Sequence, residues 1–505
     1  MQYSRTINVK RNVIWGTLNK IINMLVPFIT RTVLIYKLGI QYVGLSGLFG
    51  SILMVLSISE LGFGNALVYH MYKPFAENNE TEICKLLNFY RYVYRVIGII
   101  ILVLGVILLP FLRYLINGSY PEDVNIYILY LVYLINTVLS YFFFSYKRSL
   151  FIASQRVDFD SNINTVVSII KNVVQLGVLI IFPNYYVYVL VIPITTILNN
   201  ILIEIVSRKK YSKYRCVGNI NDDVRRGIIK QVRGLFLQKI GNAVYEAVDT
   251  IVISAFLGLT VLGIYNNYYY ILSSLVGVMA VLFSAIRPSV GNSIISESIE
   301  KNHADFQALN FGYVCLTGWI AISLFVLYQP FMFLWVGEDN SFGEHLVIFF
   351  ALYFYSWKNC DMLAVYTEAA GLWYENRYTS LIAALVNLSI NIISVKYIGL
   401  YGVLISSIVS FIFISDVGFG RTLYKYYFKN GLLGVKFALG QVFYLVYFAA
   451  LAIICKIVTK NIAYNGIMGF IISGVLCLII VSLVTFIFFR NTKRYKRLEQ
   501  ILIKR

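Results

Sequence analysis

Apolar residues dominate almost the whole chain, in runs of about twenty or more separated by short polar segments. Fourteen such runs can be drawn, at roughly 12–36, 43–69, 93–116, 125–147, 162–182, 186–207, 234–257, 262–287, 308–335, 345–370, 378–396, 400–421, 434–457 and 465–489. A helix needs about 20 apolar residues to cross the hydrocarbon core, so each run predicts one membrane span. The fold class expected is all-α and polytopic, with about 14 transmembrane helices. No loop on the outer side exceeds about a dozen residues, so no external domain is expected.

The polar positions inside these runs carry more information than the apolar ones. In the first span Lys20, Asn23, Pro27 and Arg31 recur every three to four residues and share one helical face. A charged side chain at mid-bilayer costs several kcal/mol, so this face should look into protein or a water-filled cavity. In the fifth span Asn164, Ser168, Lys171 and Gln175 form a stripe, with Lys171 about nine residues, or about 13 Å, deep. In the seventh, Lys239, Asn242, Glu246 and Asp249 form another. The tenth holds Lys358 and Asp361 three residues apart, with Glu368 beyond; Glu60 lies in the second and Asp416 in the twelfth.

The first stretch recurs. Shifted by 219 residues, 18–53 lies ungapped over 237–272 with about ten of 36 positions identical. Matches at Lys20/Lys239, Asn23/Asn242, Leu38-Gly39/Leu257-Gly258 and Gly44/Gly263 are harder to obtain by chance than matching leucines. Two repeats with a polar face at the same place in each describe a transporter with its site between the halves. Gly39, Gly44, Gly47 and Gly50, with Gly258 and Gly263, are expected to allow tight turns and close helix contact.

Composition agrees with a membrane protein: 59% of the 505 residues are hydrophobic and 13% charged, and mean hydropathy is +0.73. The net charge of +19 would point to nucleic acid in a soluble chain. Here its distribution points to a membrane surface instead. With the amino terminus in the cytosol, roughly 33 of the 43 basic residues fall on inner segments, and the outer loops at 117–125 and 337–345 are net acidic. That bias predicts both termini on the cytosolic side. The longest inner loop, 208–233, is expected to contain an amphipathic helix. Asp222 or Asp223 would cap it, Ile228, Ile229 and Val232 would lie on one side, and Arg225, Arg226 and Lys230 on the other. The first span is long and charged and lacks a small-residue cleavage site, so no cleavable signal peptide is expected.

Enzyme chemistry finds little support. There is no Ser/His/Asp order, no glycine-rich phosphate loop and no Cys/His cluster; the six cysteines and three histidines are scattered. No catalytic residue, metal or cofactor is expected. The five membrane-depth cations, Lys20, Arg31, Lys171, Lys239 and Lys358, point instead to an anionic substrate. A pyrophosphate concentrates charge that Arg and Lys satisfy with charge-assisted hydrogen bonds. Structural roles compete with this reading: Lys20 and Lys239 can snorkel towards the cytosol and Arg31 outwards, and Lys358 with Asp361 reads as an ion pair. Glu246 and Asp249 either pair with Lys239 or Arg31 or bind a coupling cation. The run YNNYYYIL at 265–272 suits a sugar, with rings to stack and amides to meet hydroxyls, or else an ordinary aromatic belt.

The stretch KLGIQYVGLSGLFGSILMVLSISELGFGNALVYHMYKP resembles the opening of Wzx-type polysaccharide transporters, flippases of lipid-linked oligosaccharides in the multidrug/oligosaccharidyl-lipid/polysaccharide exporter superfamily. Matches continue in order through VDTIVISAFLGLTVLGIYNNYYYI, AIRPSVGNSIISES and ALVNLSINIISVKYIGLYGVLISSIVS, covering about 1–430. The resemblance implies two pseudo-symmetric six-helix bundles, 1–207 and 234–430, with 208–233 as connector and 431–505 as two further helices and a basic tail. It implies alternating access without ATP and an undecaprenyl-pyrophosphate-linked oligosaccharide as substrate. The setting would be capsule or O-antigen-like export across the bacterial cytoplasmic membrane. Membrane lipids and glycan polymerase or assembly proteins are the implied partners, and nucleic acid is not. Arg31, Lys171 and Lys239, with Lys20, are the implied pyrophosphate contacts. Asn23, Asn242, Glu246, Asp249, Lys358 and Asp361 are expected to add polarity or ion coupling to the cavity. The alternative is a multidrug/cation antiporter of the same superfamily. Such exporters often carry an acidic group in the first span, where this chain has only Lys, Asn, Pro and Arg. The arginine-rich first two spans of lipid II flippases are not seen.

Overall fold

A computed structural model describes residues 5–60 and 63–503; of the basic ends, 1–4 and 504–505 lie outside the described residues. The amino-terminal part runs through α1 (Arg5–Lys37), α2 (Ile40–Leu56), α3 (Phe63–Ala76), α4 (Glu80–Leu108), α5 (Ile126–Phe142), α6 (Arg148–Ala153), α7 (Val157–Ile181) and α8 (Tyr185–Lys210). There follow α9 (Asp222–Ser296), α10 (Ile299–Val336), α11 (Glu344–Asn359), α12 (Asp361–Ala369), α13 (Thr379–Ile398) and α14 (Leu400–Val409). The chain ends with α15 (Val417–Thr422), α16 (Gly431–Thr459), α17 (Gly466–Phe489) and α18 (Lys493–Ile503). Among the described residues there is no β-strand. Asparagines start several helices: Asn125 accepts from the amides of Tyr127 and Ile128, and Asn184 from those of Tyr186 and Val187.

The chain is a multi-pass membrane protein, but its spans are less uniform than the hydropathy pattern predicts. Among the described residues ten helices are long and apolar enough to cross a membrane. Ile126–Phe142 with Ser145–Ala153, bent by 48°, makes an eleventh. Three of the fourteen expected spans fall outside this count for local reasons. The run at 43–69 is interrupted by a 3-10 turn at Ser57–Glu60. The run at 345–370 is divided at Cys360 into α11 and α12. The runs at 234–257 and 262–287 are joined in one helical stretch, Lys239–Ala280, although Gly258 inside it sits at φ 86°, ψ 175°.

Two compact units divide the chain, 1–267 and 268–505. In the first, α7 lies along α1 and α8, and α5 along α4 and α8. Polar rungs tie α1 to α7: the Asn19 amide donates to Thr165 at 2.8 Å and the Thr30 hydroxyl to Asn172 at 2.9 Å. In the second, α10 packs on α11, α16, α17 and α18, and α13 packs on α14.

The 219-residue repeat has a geometric counterpart inside the first unit. Gly39 (φ 115°, ψ 168°) and its equivalent Gly258 (φ 86°, ψ 175°) turn the chain in the same way, a conformation that side-chain-bearing residues avoid. A Cβ on Gly44 would stand 2.3 Å from the Leu259 carbonyl oxygen, and one on Gly263 would stand 2.2 Å from that of Ile40. Residues 40 and 44 map onto 259 and 263 under the shift, so the two contacts are one contact made twice, as in an isologous interface. Between them the Gln41 amide donates to the Thr260 hydroxyl at 3.2 Å, and this pair too maps onto itself. Gly39 and Gly258 therefore serve the turn and Gly44, Gly47 and Gly263 the close approach, whereas Gly50 has nothing within 4 Å of its Cβ position and serves neither.

The connector is amphipathic as expected. Ile228 and Val232 are buried, and Arg225, Arg226 and Lys230 are exposed. It is not a separate element, because its helix starts at Asp222 and continues into the following span. Gly234 alone does not break it, since one glycine costs a helix only about 1 kcal/mol. The basic tail is likewise more ordered than its composition suggests. Residues 493–503 form α18, where Arg497 meets Asp305 of α10 at 2.7 Å and Leu498 fills the space left by Gly312.

Candidate functional site

A cavity of 620 Å³ opens in the first unit, lined from α1, α4, α5, α6, α7, α8 and the 3-10 turn at Ser57–Glu60. Its position follows from packing. The α1–α7 rungs leave Asn23 on one side, and the break in the second span turns Glu60 inwards. The stripe on α7 presents Asn164, Ser168 and Lys171 to it. Lys171 is half-buried, and its ammonium has no hydrogen-bond or ion-pair partner among the described residues. Gln175, the fourth member of that stripe, instead donates to the Tyr188 carbonyl of α8 at 3.1 Å.

A second cation, Arg148, lines the same cavity. It is held by Asp160 at 3.1 Å and donates to Asn164 at 3.4 Å, and Asn164 in turn donates to Asp160. Glu60 is the cavity's carboxylate. Both its oxygens are occupied, by the hydroxyl of Tyr94 at 2.6 Å and that of Tyr141 at 2.5 Å, and Tyr90 donates to Tyr94 at 3.0 Å. The carboxyl is thus tied into a tyrosine network in the same cavity as Lys171 and Arg148. The α8 wall is neutral and polar: Thr195, Thr196, Asn199 and Asn200. Thr196 donates to Asn136 at 2.7 Å, while the Asn199 Oδ1 and Asn200 Nδ2 atoms are buried without a hydrogen-bond partner. Chemically the cavity offers one cation with donors to spare, a second held in place, and amides and hydroxyls around them.

The other expected residues have different surroundings. Arg31 is half-buried and donates to Asn267 at 2.7 Å. Lys20 is exposed, as are Asn242 and Glu246, whereas Lys239 is half-buried and acts electrostatically on Glu246. Asp249 is buried and accepts from Tyr265 at 3.5 Å. In the second unit Lys358 and Asp361 form an ion pair at 2.7 Å, and Asp361 also accepts from Tyr313 at 2.7 Å. Within the YNNYYYIL run Tyr265 and Tyr268 are core residues, Tyr268 donating to Gln329 at 2.8 Å, while Asn266, Tyr269 and Tyr270 are half-buried.

Arg148 and the α8 quartet were missed by sequence reasoning. Arg148 falls at the end of a bent span and reads as loop. The quartet had a signal: Thr195, Thr196, Asn199 and Asn200 stand at i, i+1, i+4 and i+5 in an otherwise apolar span, which places them on one face.

Solved structures share this arrangement of packed helices. A lipid II flippase MurJ in an inward closed conformation is similar at TM-score 0.63 and 15% identity, with 95% of this chain and 98% of that one covered. A multidrug resistance MATE family transporter of the MOP superfamily, inward-facing, is similar at TM-score 0.62 and 13% identity, covering 80% and 94%. A Vibrio cholerae MATE transporter follows at 0.58 and 14%, covering 84% and 98%. At these identities the likeness is one of fold. A search of curated proteins by sequence finds no match. The family of polysaccharide biosynthesis proteins matches residues 9–293, more than half of the 505, and the chain belongs to it.

Proposed function

We propose that the protein is a flippase. It carries an undecaprenyl-pyrophosphate-linked oligosaccharide from the inner to the outer leaflet of a bacterial cytoplasmic membrane, by alternating access and for surface polysaccharide synthesis. The observation that carries this reading is Lys171, a membrane-depth cation without a protein partner among the described residues, facing a cavity walled with amides and hydroxyls. An ammonium so placed favours an anion that brings acceptor oxygens with it. Neutral polar walls suit sugar hydroxyls.

In this reading Lys171 and Arg148 meet the pyrophosphate, with Arg31, Lys239 and Lys20 as further contacts. Asn23, Asn242, Glu246, Asp249 and the Lys358–Asp361 pair shape polarity or ion coupling. The halves 1–207 and 234–430 move as bundles, joined by 208–233, with 431–505 as an added helix pair, and both termini face the cytosol.

The test is export of surface glycan by Lys171→Ala and Lys171→Arg at wild-type protein level. Lys171→Ala is expected to lose export by 10-fold or more, on the scale of about 1.5–3 kcal/mol for a hydrogen bond to a charged group, and Lys171→Arg to keep part of it. Full export by Lys171→Ala would remove the proposal. Lowered dye accumulation dependent on Glu246 or Asp249 would favour the multidrug exporter.

A further inference from the structure

The second unit contains a cleft unrelated to Lys171. It is a cavity of 760 Å³ between residues 410–429, helical as far as Tyr427, and α16, with the end of α11 behind. One wall is a stripe at every fourth residue: Phe413, Val417, Arg421, Lys425 and Lys429 all line it. In a regular α-helix a four-residue spacing drifts steadily round the axis, because a turn holds 3.6 residues. Here π-helical turns at Ser410–Asp416 and Leu423–Tyr427, hydrogen-bonded i→i+5, flank the α-helical Val417–Thr422 and offset that drift. Phe413, Val417, Arg421 and Lys425 therefore stay on one side, and Lys429, just past the helix end at φ 52°, joins them in the lining. The first two members of the stripe are apolar and the last three cationic.

The facing wall on α16 repeats the division. Val435, Ala438, Val442 and Leu445 give it an apolar length; at the cationic end Gly431 has nothing within 4 Å of its Cβ position, and Tyr424 packs on Gly434. Phe413 and Val417 are 62% and 55% exposed, and Val435 and Val442 are 60% and 57% exposed, so the cleft is not filled by the protein's own side chains. Asp416, at its inner edge, is turned towards Asn359, whose amide donates to it at 3.1 Å. Arg421, Lys425 and Lys429 have no ion pair among the described residues; Lys425 lies over the Tyr426 ring at 5.1 Å. Charge bias places this cationic end on the cytosolic side.

An apolar slot of membrane depth ending in three unpaired cations matches one ligand chemistry: an anionic headgroup on acyl chains. Basic pockets between spans on the cytosolic side hold such headgroups. We infer that the cleft between residues 410–429 and α16 is a binding site for an anionic phospholipid of the cytosolic leaflet, with the phosphate against Arg421, Lys425 and Lys429 and an acyl chain along Phe413, Val417, Val435 and Val442. The site is separate from the polar cavity and stands whether or not the protein is a flippase.

The experiment is native mass spectrometry of the purified full-length protein, titrated with phosphatidylglycerol, cardiolipin or phosphatidylcholine. The anionic lipids are expected to bind at least tenfold more tightly than phosphatidylcholine. The variant Arg421→Gln/Lys425→Gln/Lys429→Gln should lose on the order of 100-fold in that affinity, at about 1 kcal/mol per cation. A charge-matched control, Lys436→Gln/Arg490→Gln/Lys493→Gln, removes exposed cations outside the cleft and should bind as the parent does. Ala438→Trp, which fills the slot and keeps the cations, should lower retention too, with size-exclusion profiles confirming that each variant folds. Equal binding of phosphatidylcholine, or equal losses in the cleft and control variants, would overturn the assignment. Preferential displacement of bound cardiolipin by a prenyl pyrophosphate would also overturn it, by giving the cleft to the lipid-linked substrate.

Discussion

Gly44 and Gly263 show what single residues contribute. A Cβ added at either would stand well inside van der Waals contact with a backbone carbonyl oxygen, and backbone cannot move aside as a side-chain tip can. Overpacking of this kind costs about 1–3 kcal/mol. Gly44→Ala and Gly263→Ala are therefore expected to lower the thermal unfolding midpoint in detergent by similar amounts, because they disturb the same contact from its two sides. Gly50→Ala, on the same helix as Gly44 but with nothing within 4 Å of its Cβ, should leave the midpoint unchanged or raise it. A Gly44→Ala variant that behaves like Gly50→Ala would contradict the packing described here. At this scale the sequence was informative where a residue was out of character with its surroundings. Lys171 on an apolar helix and glycines repeated at a fixed shift were both visible. The tyrosines at 265 and 268 were not, since a ring destined for the core and a ring destined for a sugar look alike in one dimension. Nor was the tie between Glu60, Tyr94 and Tyr141, which joins three helical segments far apart in sequence.

Elements were legible in type and less so in their breaks. Hydropathy marks where a helix is immersed, but the 3-10 turn at Ser57–Glu60, the break at Cys360 and the π-helical turns of 410–427 leave no hydropathic trace. They arise from packing and local hydrogen bonding. The connector and the tail err in the opposite sense, towards more structure than charge suggests. An amphipathic face finds a partner and the helix persists. For α18 this gives a prediction. Truncation after Thr492 leaves Asp305 without Arg497 and uncovers Gly312, and should destabilise the protein by roughly 1–2 kcal/mol, from a half-buried leucine and a partly exposed ion pair. The unfolding midpoint of the truncated protein measures it; an unchanged midpoint would mean that α18 only rests on the surface.

For the whole molecule, an internal repeat, a fold shared with a solved flippase and solved MATE transporters, and a family matched over residues 9–293 stand together. A fold does not fix a function, so the proposed cargo rests on the chemistry of the cavity: Lys171 without a partner among the described residues, Arg148 held by Asp160, and a polar neutral wall. In the proposed flippase reading a glycan would be selected by arrangements of amides and hydroxyls that no motif encodes, which is why the sequence does not name one. The most direct measurement is the leaflet location of the lipid-linked precursor, with surface glycan assayed alongside, in a strain lacking this gene and any paralogue. The flippase account predicts precursor accumulating on the cytosolic face and surface glycan lost, both restored by the wild-type protein and not by Lys171→Ala. Precursor distributed as in the parent strain, with surface glycan intact, would contradict it.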